Sequence, residues 1–196
     1  MSLEGKQIGR YCVLQLLGSG GMGDVYLAED ARISQQVAVK VIHTVISWHP
    51  DEHSARKAVL LFQREAMAIV KLDHPNILPL YDYGEESIEN VPTIYLVMPY
   101  RPEGSLADWL CRRGRANVLS PLDVASIVRQ AADALQHTHN RQVIHQDVKP
   151  SNFLIRNRKG TLTRPDLLLT DFGIARLSSV TANMSQSVYN CTYLPS

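Results

Sequence analysis

The spacing of apolar residues changes along the chain and divides it into a strand-rich first half and a helix-rich second half. Five short apolar-rich stretches in the first half are typical of β-strands. The predicted strands are residues 11–17, 25–28, 37–42, 77–83 and 93–100, with a polar loop between the last two. Between about residues 51 and 72, apolar residues recur at three- and four-residue steps, which predicts a helix. His74-Pro75-Asn76 should end that helix, because proline restricts the residue before it.

The second half shows the helical period more strongly. A short helix is predicted over residues 105–111, and a long one follows from Ser120, the expected N-cap, to about Thr138. Pro121 fits the first position of that helix, where its missing N–H has no cost. Short strands are predicted near residues 153–155 and 167–170, and the tail after Ile174 is expected to be a long loop.

This order predicts an α+β fold with a mostly antiparallel sheet beside a helical part. A cleft between two such units is a favoured ligand site.

Composition adds few constraints on the function. With 45% apolar residues, 20% charged residues and a formal net charge of +1, the chain has no global attraction for nucleic acid or anionic lipid.

The cysteines and the N-terminal segment bear on location. Cys12, Cys111 and Cys191 show no CxxC pairing, so we expect free thiols in a reducing compartment. The first residues do not fit a signal peptide, and no apolar run reaches the ~18 residues that span a bilayer. We therefore expect a cytoplasmic domain, with a membrane anchor beyond residue 196 left open.

A glycine-rich stretch between two predicted strands is the first candidate site. Gly18, Gly20 and Gly23 fit the pattern G-x-G-x-x-G-x-V, in which glycines let backbone amides approach phosphate oxygens. The pattern alone also fits a plain glycine-rich hairpin. A dinucleotide-binding fold would need a helix directly after the loop, but Val25 begins a strand instead. A Walker loop is excluded because no Gly-Lys-Ser/Thr ends the run.

Two charged residues lie in otherwise apolar surroundings. Lys40 interrupts an apolar strand, and Glu65 lies among the core-facing residues of the predicted helix. An unpaired buried charge is costly, so we expect Lys40 and Glu65 to pair and the ammonium to be held rigidly. A solvent-exposed strand lysine is the simpler alternative when Lys40 is considered alone.

Residues 145–152 pack polar groups between an apolar helix and an apolar strand. Asp147 is a candidate general base, Lys149 a candidate for neutralising phosphoryl charge, and Asn152 a candidate amide ligand for a hard cation. Asp171 ends the strand Leu167-Leu168-Leu169 and is a candidate Mg²⁺ ligand. Taken singly, these residues also fit a polar surface loop and a turn.

Together, and in this order, the motifs resemble those of the protein kinase family, most closely bacterial Ser/Thr kinases. The stretch Ile8-Gly9-Arg10-Tyr11 before the glycine loop is typical of that group. The resemblance implies ATP and Mg²⁺, with phosphoryl transfer to Ser/Thr hydroxyls of proteins. It also implies that Asp147 is the base, that Asn152 and Asp171 bind magnesium, and that Gly18, Gly20 and Gly23 cover the phosphates.

The resemblance further implies an adenine pocket and a two-lobe fold. The adenine ring would lie between Leu17, Val25, Ala38 and Leu154, beside Met98 and against the hinge residues Pro99 and Arg101. Residues 1–100 would form a complete β-rich N-lobe and residues 101–196 an incomplete helical C-lobe. The family's C-lobe continues with further helices, so we expect the underside of the long helix to expose apolar surface in this chain.

Two other functions remain as alternatives. A pseudokinase-like nucleotide-binding or interaction module is compatible with an incomplete C-lobe, although Lys40, Asp147, Asn152 and Asp171 are all present. A small-molecule phosphotransferase of related fold is disfavoured by the glycine loop and by Lys149-Pro150, which resembles the Ser/Thr class.

Gln146 occupies a position where many related kinases have an arginine. In those kinases the arginine pairs with a phosphate on the activation loop. Phosphorylation at Ser178, Ser179, Thr181, Ser185 or Ser187 would lack that partner. We therefore expect phosphatase treatment of the full-length enzyme, verified by mass spectrometry, to leave its activity nearly unchanged. A loss of about tenfold or more would contradict the prediction.

Overall fold

A computed structural model describes residues 3–20, 23–42, 66–88, 91–114, 118–157 and 164–172. Within them, the expected α+β order is confirmed: an antiparallel sheet comes first and the longer helices follow. Six strands form one sheet in the order β1-β2-β3-β4-β6-β5. They are β1 (Gln7–Ile8), β2 (Tyr11–Gly20), β3 (Gly23–Asp30), β4 (Gln35–Ile42), β5 (Asp82–Ile88) and β6 (Val91–Pro99).

Strand β4 is central, which explains why its sequence is almost entirely apolar. It pairs with β3 on one edge and β6 on the other, and all six of its residues from Val37 to Ile42 are buried. Strands buried on both faces read as continuous apolar runs rather than alternating ones. Lys40 is the exception in this strand, and the sheet therefore carries its ammonium into the interior.

The prediction of a strand at residues 77–83 is wrong in its position. The sheet strand β5 begins at Asp82 and continues to Ile88, into the predicted polar loop. As the edge strand of the sheet, β5 pairs only with β6 and is half exposed, so its sequence is polar. The apolar residues Ile77 and Leu78 lie elsewhere: the Leu78 amide donates to the Leu169 carbonyl at 2.9 Å.

Two helices follow the sheet, α1 (Leu106–Arg113) and α2 (Pro121–His139), and each begins with a capping box. Ser105 and Ser120 accept hydrogen bonds from the backbone amides of Asp108 and Asp123, whose carboxylates bond back to the caps. These bonds satisfy amides that a helix start leaves unpaired. Of the helix predicted over residues 51–72, residues 66–72 are described: 66–70 are helical, whereas 71 and 72 are not. No helix in these described parts is long and apolar enough to span a membrane.

A second, two-stranded sheet lies beside α2. It consists of β7 (Phe153–Arg156), which follows a 3₁₀ turn at Pro150–Asn152, and β8 (Asp166–Leu169). Ile77 forms a parallel bridge with Leu169 on the free edge of β8. The short strand β8 therefore lies between β7 and residues from the first half of the chain.

Substitution of Leu167 in β8 tests how much the burial of this second sheet contributes to stability. Its side chain is 0% exposed, so Leu167→Ala should lower the free energy of unfolding by about 2–5 kcal/mol, through lost burial and a residual cavity. Chemical denaturation of the 196-residue chain measures the effect. Leu122→Ala is the control, because Leu122 on α2 is 70% exposed and should change stability by less than about 0.5 kcal/mol. Equal losses in the two variants would contradict the assignment of β8 to the core.

Candidate active site

The glycine loop forms the tip of the β2–β3 hairpin. Gly23 has φ +146°, and a Cβ there would lie 2.1 Å from the Val41 carbonyl oxygen, so the fold itself requires glycine. A Cβ on Gly18 would meet nothing within 4 Å, and one on Gly20 would only reach the Gly23 carbonyl oxygen at 4.0 Å. Packing therefore does not account for Gly18 and Gly20. Close approach of a ligand to the backbone is a physical reason for glycine at such positions.

Four of the five residues predicted to line an adenine ring as an apolar wall belong to one core cluster or pack against it. Ala38 in β4 pairs with Met98 in β6, and both are buried in one core cluster. Val25 and Leu154 are partly buried and pack against that cluster from β3 and β7. Leu17, the fifth expected residue, is 40% exposed on β2, just before Gly18, which pairs with Val25.

The hinge residues connect this wall to the helical part. Pro99 is buried at the end of β6, and Arg101 is half-buried after it. Beyond them, the Ile155 amide of β7 donates to the Gly104 carbonyl at 2.9 Å, and Ser105 forms a bridge with Leu154. The chain segment after the hinge is thus attached to the strand that forms part of the wall.

Lys40 is 7% exposed and forms an ion pair with Asp171: the distance from Nζ to Oδ1 is 2.7 Å. This contact joins the central strand of the sheet to the residue two positions after β8. Glu65, the partner expected from the sequence, lies outside the described residues, as do Gly173 and the candidate phosphorylation positions after it. Among the described residues, the carboxylate that pairs with the Lys40 ammonium is that of Asp171, which the sequence predicts to be a magnesium ligand.

Asp171 has an unusual backbone conformation. Its φ is +60°, in the left-handed region that is uncommon for residues other than glycine. The next residue, Phe172, is buried, and its ring centroid lies 4.9 Å from that of His145. Left-handed non-glycine residues persist only where surrounding contacts determine them, and such positions cluster at functional sites. Here the ion pair and the buried phenyl ring supply those contacts.

Asp147, Lys149 and Asn152 converge in the loop before β7. The Lys149 ammonium lies 2.8 Å from Asp147 Oδ2, and the Asn152 amide nitrogen donates to the same oxygen at 3.2 Å and to the Asp147 carbonyl at 2.8 Å. Asn152 is buried, whereas Lys149 is half exposed. The neighbouring Gln146 has φ +63° and is exposed. The loop thus brings together a carboxylate, a half-exposed ammonium and a buried amide.

His145 connects the loop that carries Asp147 to the segment that carries Asp171. It is 1% exposed, its Nδ1 accepts from the Asp147 amide at 3.4 Å, and its Nε2 lies 2.8 Å from the Thr170 carbonyl oxygen. Since Nδ1 accepts a bond, the neutral tautomer that fits carries its proton on Nε2 and donates it to Thr170. The Thr170 amide in turn donates to the Asn152 carbonyl at 2.9 Å. Asp147 and Asp171 are therefore held by one continuous set of bonds.

The side chains of Asn152 and Asp171 are chemically suited to a magnesium ion. Mg²⁺ takes oxygen ligands and usually keeps several waters, so one carboxylate and one amide oxygen suffice from the protein. Because Asn152 donates to Asp147 through its nitrogen, its oxygen is the atom that it can offer to a cation. No group of three or more His, Cys, Asp or Glu residues suited to a metal occurs within the described ranges.

Two contacts of the site were missed by sequence reasoning. Gln130 of α2 and Asn76 of the turn after the helical residues 66–70 both hydrogen-bond to β8. Asn76 was interpreted only as part of a helix stop. A usable signal for Gln130 was its spacing, because Gln130, Ala134 and Thr138 recur every four residues on the buried face of α2.

Comparison with known sequences agrees with the resemblance of the motifs to protein kinases. Residues 11–196 match the family model of the protein kinase domain. The Ser/Thr-protein kinase PrkC of Bacillus subtilis is 38% identical over 188 residues, which cover 95% of this chain and 26% of PrkC. PknB of Mycolicibacterium smegmatis is 36% identical over 89% of this chain and 25% of its own length. The chain therefore spans about a quarter of these curated relatives.

Solved structures give the same result for the fold. The crystal structure of the Mycobacterium tuberculosis PknI kinase domain superposes with a TM-score of 0.66 at 30% sequence identity. The match covers 89% of this chain and 64% of that domain.

The buried His145 predicts how stability depends on pH. Burial lowers the pKa of His145, and the nearby Lys149 lowers it further, while the Thr170 carbonyl, Asp147 and Asp171 act in the opposite direction. The folded state therefore binds the His145 proton less readily than the unfolded state. Stability from this residue is fully present above the unfolded pKa of about 6.5 and is lost as pH falls below it.

Denaturation curves at pH 5.5 and 7.5 measure this effect. We expect the free energy of unfolding to fall at the lower pH, and His145→Gln, which does not titrate, to reduce that fall. His139→Gln on the exposed surface of α2 is the control and should leave the pH dependence as in the wild type. An unchanged pH dependence in His145→Gln would show that this histidine is not the source.

Proposed function

The chain belongs to the protein kinase family, and from that premise we propose that it transfers the γ-phosphoryl group of ATP to Ser or Thr hydroxyls of proteins, with magnesium as cofactor. One observation carries the proposal: the Lys40–Asp171 ion pair and the Asp147–Lys149–Asn152 cluster are joined through the buried His145. Positioning and electrostatic stabilisation supply most of the catalysis in phosphoryl transfer. This arrangement holds the groups for both tasks in one place.

Asp147 is assigned as the group that accepts the proton of the substrate hydroxyl. As the hydroxyl oxygen bonds to the γ-phosphorus, the bond from that phosphorus to the bridging oxygen breaks, and ADP leaves with the electron pair. General-base assistance of this kind contributes about 10²–10⁴-fold. The ammonium of Lys149, 2.8 Å from Asp147 Oδ2, is close enough to neutralise charge on the phosphoryl group as it moves.

Lys40 and the glycine loop are assigned to the remaining phosphates. The buried ammonium of Lys40 is held in a fixed position by the sheet, so binding a phosphate requires little ordering of its side chain. The open space above Gly18 and Gly20 lets their backbone approach phosphate oxygens. We expect Glu65 to support Lys40, as the family motif implies.

Asn152 and Asp171 are assigned as the magnesium ligands. When bound there, a magnesium ion would supply positive charge that offsets part of the negative charge of the phosphates. The protein contributes the geometry: Asn152 is oriented by Asp147, and Asp171 is oriented by Lys40. Outer contacts of this kind set the direction in which a ligand points.

The adenine ring is assigned to the wall formed by Val25, Ala38 and Leu154, with Leu17 above it and Met98 behind it. The Pro99 carbonyl and the Arg101 amide would then bond to the polar edge of the ring. We propose a cytoplasmic domain that acts on protein rather than nucleic acid substrates, with its lobes meeting near residue 100. The relatives named above are Ser/Thr kinases and support this choice of substrate class.

Removing the Asp147 carboxylate tests the proposed chemistry. We expect Asp147→Asn to lower kcat for phosphorylation of a generic Ser/Thr protein substrate by about 10²-fold or more, because the amide cannot accept the proton. Transfer of radiolabelled γ-phosphate measures the rate. Asp133→Asn is the matched control, since Asp133 on α2 is exposed and pairs only with Arg129 among the contacts that the structure describes for it; its rate should equal that of the wild type.

The pseudokinase-like alternative gives a different result in the same assay. A wild-type chain that binds ATP but transfers no phosphate, under conditions in which the assay detects a known kinase, would replace the proposed activity with nucleotide binding. Equal rates for the wild type and Asp147→Asn would contradict the role of Asp147 as base.

A further inference from the structure

Strand β8 poses a register problem that its own sequence does not solve. Its core consists of Leu167, Leu168 and Leu169, which are 0%, 1% and 0% exposed. Register is usually specified because a one-residue slip would turn apolar side chains toward solvent. In a run of three buried leucines, a slip replaces one leucine by another at the central positions. Hydrophobic burial therefore discriminates poorly between registers, although Asp171 needs one particular register to reach Lys40.

Gln130 recognises one register of β8 by its polar atoms. This side chain is 7% exposed on α2, and its Oε1 accepts from the Leu167 amide at 2.8 Å. Its Nε2 donates to the Pro165 carbonyl at 3.1 Å. The single side-chain amide of Gln130 thus bonds both to the Pro165 carbonyl and to the Leu167 amide, two residues further along the chain. A shift of the strand by one residue would turn both of these backbone groups away from Gln130, and leaving buried polar groups unpaired is costly.

Asn76 also bonds to the backbone of β8 and so favours the same register of the strand. Its Nδ2 donates to the Leu167 carbonyl at 2.9 Å and to Gln130 Oε1 at 3.0 Å. Its own carbonyl accepts from the Leu169 amide at 2.8 Å. Gln130 therefore links a helix of the second half, a turn of the first half and the strand that leads to Asp171.

We propose that Gln130 and Asn76 form a polar clamp that sets the register of β8 and thereby positions Asp171 against Lys40 and toward the magnesium ion. Neither residue touches the reacting atoms, so both are positioning residues. The consequence for magnesium rests on the proposed function, whereas the register of β8 does not.

Residue-resolved amide hydrogen exchange tests the clamp without any ligand. The variant is Gln130→Met, of similar length but without hydrogen-bonding groups. The control is Gln136→Met on the same helix, because the exposed Gln136 bonds to Asn140 and not to β8. The informative amides are those of Leu169 and Thr170, which bond to Asn76 and Asn152 rather than to Gln130 itself.

We expect exchange at Leu169 and Thr170 to accelerate about tenfold or more in Gln130→Met, with Val39 in the first sheet unchanged. The control should match the wild type throughout. Acceleration confined to Leu167 would overturn the clamp, because Gln130 would then satisfy only its own partner. Equal acceleration at Val39 would also overturn it, since it would indicate a uniform loss of stability. If Gln130→Met does not fold, Asn76→Ala, which removes the two donated bonds and keeps the backbone bond to Leu169, gives the same comparison.

Calorimetric binding of a non-hydrolysable ATP analogue, with and without Mg²⁺, tests the effect on the site. Gln130→Met should weaken the affinity for Mg²⁺ about tenfold, as expected for loss of an outer contact, and leave metal-free nucleotide binding unchanged. Identical magnesium dependence in Gln130→Met and the wild type would overturn the link to Asp171. A wild type without any magnesium-dependent binding would instead count against the proposed function, and hydrogen exchange would still decide the register.

Discussion

The ion pair between Lys40 and Asp171 is the contact on which the geometry of the site depends. It joins the central strand of the large sheet to the end of the small one, across a sequence separation of 131 residues. Isolated surface pairs contribute little to stability, but here the ammonium is nearly inaccessible to solvent. Because the Lys40 ammonium is buried, its pairing with Asp171 requires the two strands to be brought into position together. The remaining features of the site serve that requirement, since they fix the strand on which each partner lies.

Those features combine apolar burial, which is strong but unspecific, with a few polar contacts, which are specific. The leucines of β8 supply burial, while His145 and Asn152 fix the residue just before Asp171 through its carbonyl and its amide. The same two residues also contact Asp147, in both cases through their side chains. Two acids that are far apart in sequence are therefore aligned by shared neighbours. This arrangement differs from a site built on a single rigid element, because its precision depends on hydrogen bonds between segments.

Much of this arrangement could be predicted from sequence, for reasons that differ from residue to residue. The glycine loop, Lys40, Asp147 and Asp171 belong to motifs whose order identifies a kinase-like fold, and the capping residue Ser120 marks its helix by local chemistry alone. Strand β5 was misplaced because an edge strand carries no apolar signature, and Ile77 and Leu78 show one although they pair with β8. The contact of Lys40 with Asp171, like the bonds of Gln130, depends on tertiary proximity, which periodicity does not encode.

The position of residues 76–78 has a mechanical consequence. In sequence they belong to the first half of the chain, but in space they line the edge of β8, and the chain rejoins the large sheet only where the Tyr81 amide donates to Val97. The polypeptide therefore passes between the two structural bodies three times: before residue 76, after residue 78 and again near residue 100. A single covalent link would act as a free pivot. Rocking of the sheet relative to β8 would instead strain the bonds that residues 76–78 make to β8 and the short link that follows them, which contains the stiff ring of Pro79.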